Sequence, residues 1–115
     1  RRTPARPPAV RRLAFAGGQA DLERREVAFD DGARCELSDR ERQLLHYLAC
    51  HAGRAVSRDE LLARVWGLNP AGITTRTIDM HIARLREKLH DDPNSPRIVL
   101  TVRGQGYMLA PQAPP

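Results

Sequence analysis

Residues 74–89, TTRTIDMHIARLREKL, constrain the fold more than any other stretch of the chain. Ile78, Ile82, Leu85 and Leu89 recur at helical spacing, so one side of a helix is a continuous apolar stripe that the rest of the chain must cover. The far side carries Arg76, Met80 and Arg84, flanked by Thr77 and His81. A surface helix ordinarily mixes charge signs for solubility. This one is cationic over its first three turns, so the fold has to bury one face and leave the other open.

Two more helices precede it. SDRE at 38–41 and SRDE at 57–60 have the S-x-x-E spacing of a capping box, in which the serine hydroxyl and the glutamate carboxylate satisfy the free N–H groups of a helix start. The first helix is expected to bury Leu44, Leu45, Leu48 and Ala49 and to end at Gly53; the second, to bury Leu61, Leu62, Val65 and Trp66 and stop at Gly67. The loop GLNPAGIT leads to the third helix, with Thr75 as its expected N-cap and Thr74 as the alternative, and Pro93 closes that region.

The flanks change period. Between residues 13 and 37 the runs LAF, QADLE, EVAFD and ARCEL are punctuated by AGG and DDG, a pattern of three or four short antiparallel strands. At the other end, RIVLTVRGQGYML alternates with period two and turns at Gly104 and Gly106. We read it as a hairpin whose Ile98, Leu100 and Val102 face the core.

With 115 residues the chain is expected to make one domain, at 41% hydrophobic and only 4% aromatic residues. That is one small aliphatic core, without an evident cleft for catalysis. No run approaches the roughly 18 apolar residues of a membrane span, and no leader pattern is visible. Cys35 and Cys50 have neither metal-ligand nor disulfide-framework spacing, so a reduced, cytoplasmic setting is expected, with no cofactor or metal. His46, Cys50 and His51 read as incidental surface residues.

The formal charge is +5, all of it supplied by the five Arg of residues 1–12, RRTPARPPAVRR. Their prolines mark a linker or disordered arm, and PQAPP at 111–115 a tail, leaving 13–110 as the domain. Overall basicity is therefore a weak pointer to nucleic acid. The local sign is a better one: residues 76–103 hold six bases against four acids, whereas 13–41 hold eight acids against four Arg.

Two helices joined by a loop, the second basic outside, then a hairpin with Arg103 near its turn, suit a winged helix-turn-helix. The third helix would fit a major groove, and Met80 between two arginines could contact a thymine methyl. Asp79 is expected to orient Arg86 two turns along rather than meet a phosphate. Trp66 reads as core before contact, and Tyr107 equally as wing packing or contact.

The strings LSDRERQLLHYLACHAGRAVSRDELLARVWG, TRTIDMHIARLREKL and TVRGQGYML, together and in this order, resemble the DNA-binding effector domain of OmpR/PhoB-type response regulators. The resemblance runs from about residue 13 to 109. It implies an α+β winged helix-turn-helix with an N-terminal antiparallel four-stranded sheet, three helices and a C-terminal β-hairpin wing. It implies a recognition helix 75–89 in the major groove and a wing 97–109 at the minor groove or backbone, with Arg76, Thr77, Met80, His81, Arg84, Arg86, Thr101, Arg103, Tyr107 and Trp66 at DNA-contact positions. It implies binding of double-stranded DNA at tandem half-sites as a dimer, an upstream receiver domain phosphorylated by a partner kinase, and contact with RNA polymerase through Gly67, Leu68, Asn69, Pro70, Ala71, Gly72, Ile73 and Thr74. Ala83 departs from relatives that carry Arg or another polar residue there. The other function class is a winged-helix protein-interaction module without DNA binding; a flat salt dependence would mark it. A small nuclease is a distant third.

Overall fold

The computed structural model describes residues 11–69 and 76–111. Four short strands come first: β1 (Arg12–Phe15), β2 (Gly18–Asp21), β3 (Glu26–Phe29) and β4 (Arg34–Glu36). They form an antiparallel meander in the order β1-β2-β3-β4. Gly17 and Gly32, both at φ +93, make the turns that the AGG and DDG signals predicted. Arg12 pairs with Asp21, so the sheet begins one residue inside the segment read as an arm. Leu13, Phe15, Ala20 and Val27 turn their side chains to one face and are buried.

Three helices follow: α1 (Asp39–Cys50), α2 (Arg58–Arg64) and α3 (Arg76–Lys88). The Ser38 box closes as expected, with Ser38 Oγ accepting from Glu41 N–H and Glu41 accepting from Ser38 N–H. The Ser57 box is only half made. Ser57 Oγ accepts from Glu60 N–H at 3.0 Å, but the Glu60 carboxylate goes instead to Arg54 at 2.7 Å and to the Tyr47 hydroxyl. A guanidinium and a phenol offer Glu60 two side-chain donors, one of them charged, where the box offers one backbone N–H. Gly53 does not end α1, which stops at Cys50; it lies in the following turn at φ +84 and donates to Leu109 carbonyl.

The chain finishes with β5 (Val99–Val102) and β6 (Gly106–Leu109), an antiparallel pair extended by a bridge between Val56 and Tyr107. Its phase is opposite to the one expected. Cross-strand partners share a face, and the pairs Val99–Leu109 and Thr101–Tyr107 include Val99 and Leu109 with no exposure and Tyr107 with 5%. Leu100, Val102 and Met108 are half-buried on the other face. Apolarity alone favoured the Leu100–Val102 phase. What decides it is that Arg86 and Tyr107, both carrying polar atoms, fill the inner side. Ile98, just before β5, is buried as well.

One core cluster joins sheet, helices and wing, with Ile78, Ile82, Leu85 and Leu89 of the opening stripe at 0–1% exposure. Two polar anchors lie at its edge. Asp91, buried just beyond α3, accepts from Arg97, Ile98 and Val99 N–H groups and so starts β5. Lys88 Nζ donates to Glu36 carbonyl at 2.5 Å and to buried Glu41 at 3.2 Å, tying α3 to β4 and α1. Burial pushes the Glu41 carboxyl up, but its bonds from Ser38 and Lys88 outweigh that and hold it below the usual range.

Candidate nucleic-acid interface

The amphipathic period of α3 turns Arg76, Thr77, Met80, Ala83 and Arg84 outward, and all five are exposed. Met80 stands at 49%, which a core residue never would. Ala83 leaves a recess of about 340 Å³, bounded also by Arg86, Glu87, Asp91 and Pro93. On the wing, Thr101 is exposed, and Arg103 is exposed in the turn just past β5. The helix face and the hairpin turn thus present cations and apolar contact without an enclosing cleft.

His81 is half-buried at the side of this face. Its Nδ1 lies 2.9 Å from the Thr77 carbonyl, and its ring meets Trp66 edge-on at 4.9 Å. A carbonyl only accepts, so Nδ1 carries the proton. The remaining nitrogen can donate to a phosphate only when the ring is the imidazolium. Trp66 is half-buried against the core, with the Arg40 guanidinium carbon 5.1 Å from its ring centre. Arg40 also donates to Val65 carbonyl at 2.6 Å, which fixes the exit of α2.

Two expected contact residues are turned inward. Arg86 donates from Nε and a terminal nitrogen to Val99 carbonyl, at 3.0 and 2.7 Å, and from a terminal nitrogen to Thr101 Oγ1 at 2.8 Å. Tyr107 is buried, and its hydroxyl donates to Asp79 Oδ1 at 2.6 Å. Asp79 is therefore not the partner of Arg86. It accepts from Tyr107 and from Arg58 Nε, also at 2.6 Å. Burial raises the Asp79 carboxyl, but the hydrogen bonds from Tyr107 and Arg58 prevail and it stays below the usual range. Burial, followed by that same carboxylate, pushes the Tyr107 phenol up.

Arg58 was missed from sequence. Its signal was electrostatic: a cation in the first turn of a helix opposes the helix dipole and calls for a partner from elsewhere. In the loop after α2, Gly67 adopts φ +69, Leu68 is 44% exposed and donates its N–H to Leu62 carbonyl, and Asn69 follows. Pro70, Ala71, Gly72, Ile73 and Thr74 of the expected polymerase loop, the Thr75 cap, residues 1–10 and the tail 112–115 lie outside the described residues. Among the described residues, no helix is long and apolar enough to cross a membrane.

The family model "Transcriptional regulatory protein, C terminal" matches residues 32–109. Solved structures agree over a longer span. The RstA DNA-binding domain of Klebsiella pneumoniae in complex with the RstA box is 35% identical, with a TM-score of 0.75, over 90% of this chain and 100% of that one. The DNA-binding domain of CpxR from E. coli is 36% identical, with a TM-score of 0.69, over 89% and 98%. DrrB of Thermotoga maritima, an OmpR/PhoB homologue, is 34% identical, with a TM-score of 0.73, over 88% of this chain but 45% of its own. Sheet, three helices and wing correspond in order, and the chain belongs to the family of C-terminal domains of transcriptional regulatory proteins, of the OmpR/PhoB response-regulator type.

Proposed function

We propose that this chain binds double-stranded DNA sequence-specifically, with α3 in a major groove and the turn at Arg103 in the adjacent minor groove or on its backbone. The observation that carries the reading is the outward set Arg76, Met80 and Arg84 beside an exposed Arg103, on a scaffold whose relative RstA is seen with the RstA box. Arginine pairs two donors with guanine, and a thioether side chain suits a thymine methyl. Thr77 and, when protonated, His81 serve the phosphates; Trp66 offers only a ring edge. Arg86, Thr101 and Tyr107 act by holding the wing, although Thr101 remains open to a backbone contact. The domain acts on DNA and has no catalytic role.

By extension from the family, the chain is the output half of a two-component regulator in the cytoplasm. A receiver domain precedes residues 1–12, which serve as the linker. Two copies occupy tandem half-sites, and the loop 67–74 meets RNA polymerase. DrrB, a response regulator of which the chain spans under half, supports the effector domain being one part of a longer regulator.

Sites selected from random duplexes test the first claim. On the selected site Arg84→Ala should lose about 1–3 kcal/mol, the worth of a base-edge pair, and clearly less on a scrambled duplex. Equal losses would make Arg84 a phosphate contact. Binding of no duplex at any salt concentration would leave the protein-interaction module as the reading.

A further inference from the structure

Three elements meet on one oxygen. Asp79 Oδ1, on α3, accepts from Arg58 of α2 and from the Tyr107 hydroxyl of β6. The guanidinium carbons of Arg58 and Arg86 lie 5.2 and 5.7 Å from the Tyr107 ring centre, close enough for cation–π attraction. Arg86, on the same helix, reaches the other wing strand through Val99 and Thr101. So α3 grips the hairpin twice, through Asp79 on β6 and through Arg86 on β5. The grips are seven residues apart, which places them on one helix face about 10 Å apart along the axis. The Val56–Tyr107 bridge seats one edge of the hairpin; the two grips on α3 fix its tilt and its sliding position relative to that helix.

We propose that Asp79 and Arg86 are positioning residues that make α3 and the Arg103 turn one rigid reader. The domain then selects the spacing between a major-groove half-site and its flanking minor-groove tract, as well as the bases in each. This rests on the groove reading given above. Neither residue belongs to the outward set, and both are already engaged within the protein, so their effect on DNA is exerted through the wing.

The test is a spacing series. A duplex carrying the selected half-site and its preferred flank is compared with one having a single base pair inserted between them, which displaces the flank by about 3.4 Å and rotates it. The wild-type domain should lose affinity roughly tenfold, the scale of one mismatched base pair. Tyr107→Phe keeps the ring and removes the hydroxyl; Asp79→Asn keeps the shape and removes the charge. With native circular dichroism, either should shrink the insertion penalty to about twofold while discrimination within the half-site stays. Arg86→Met removes all three bonds of the other grip and gives the same readout should the first two fail to fold. A full penalty in the folded variants overturns the proposal, because a looser wing would tolerate the shift. Arg103→Ala separates the two layers. If it leaves affinity for the flank unchanged, the groove reading fails and takes this inference with it. If it abolishes flank preference while the grip variants keep the full penalty, only the rigid coupling is wrong.

Discussion

Gly106→Ala should unseat the wing, whereas Gly104→Ala, two residues away, should barely disturb it. A Cβ at Gly106 would sit 2.0 Å from Val56 carbonyl oxygen and 2.8 Å from Ser57 Cα, both backbone atoms with no rotamer to yield. The same carbonyl accepts from Tyr107 N–H at 2.9 Å, and Val56 N–H donates to Tyr107 carbonyl at 2.7 Å. Making room means opening that bridge, two bonds of about 0.5–1.5 kcal/mol each. The φ of +137° at Gly106 adds strain for any L-residue, of order 1–3 kcal/mol. The sum is about 2–6 kcal/mol. Gly104 has a φ of +76° and nothing within 4 Å of its Cβ position, so its alanine costs only the backbone part, about 1–2 kcal/mol. Urea unfolding of the two variants beside the wild type measures the contrast. Gly106→Ala should fall about 2.5 kcal/mol below Gly104→Ala, the gap between the mid-range estimates of about 4 and about 1.5 kcal/mol. Equal losses would mean that the Val56–Tyr107 bridge does not seat the wing, and that the hairpin moves aside freely.

Glu60 should make the domain acid-sensitive. Hydrogen bonds from Arg54 and then Tyr47 lower its carboxyl from 4.5 to about 2, so it contributes stability that is complete above the unfolded value and is lost as pH falls towards about 2. Glu60→Gln should be less stable than wild type at neutral pH and converge with it near pH 2; a constant gap in thermal unfolding across that range refutes the assignment. Deleting residues 1–10 removes three Arg, and should reduce the salt slope of DNA binding by up to about 0.9 for each phosphate no longer neutralised, without lowering stability. Extending the deletion through Arg12 should destabilise the domain, because Arg11 carbonyl accepts from Leu22 N–H and Arg12 pairs with Asp21. Arg103→Lys should recover only part of the affinity that Arg103→Ala forfeits on A·T-flanked duplexes, since an ammonium is more strongly hydrated than a planar guanidinium; full recovery would make the residue a plain charge.

Periodicity, caps and glycines make most of this architecture legible in the sequence. The stripe Ile78–Leu89 named both the buried side of α3 and, by exclusion, the outward set of Arg76, Met80 and Arg84. Ser38–Glu41 marked the start of α1, and the glycines at 17, 32, 104 and 106 marked the turns. These signals are local: each depends on backbone geometry or residue spacing within a few positions. Partner choice among long polar side chains is not local. Asp79 passed over Arg86 on its own helix for Arg58, 21 residues away, and Tyr107, 28 away. Glu60 left its capping box for Arg54 and Tyr47. Arg86 spent its donors on Val99 and Thr101. A guanidinium or carboxylate can reach several partners, and which one it takes depends on where packing brings the elements together. The hairpin's phase was settled in the same way, since the Tyr107 hydroxyl finds Asp79 of α3 on the inner side and Arg86 reaches from α3 to Val99 and Thr101 there. Residue spacing and local backbone preference set the elements, their order and the open cationic face of α3; packing between elements set how the wing is held on the helix's other side, through Asp79 and Arg86.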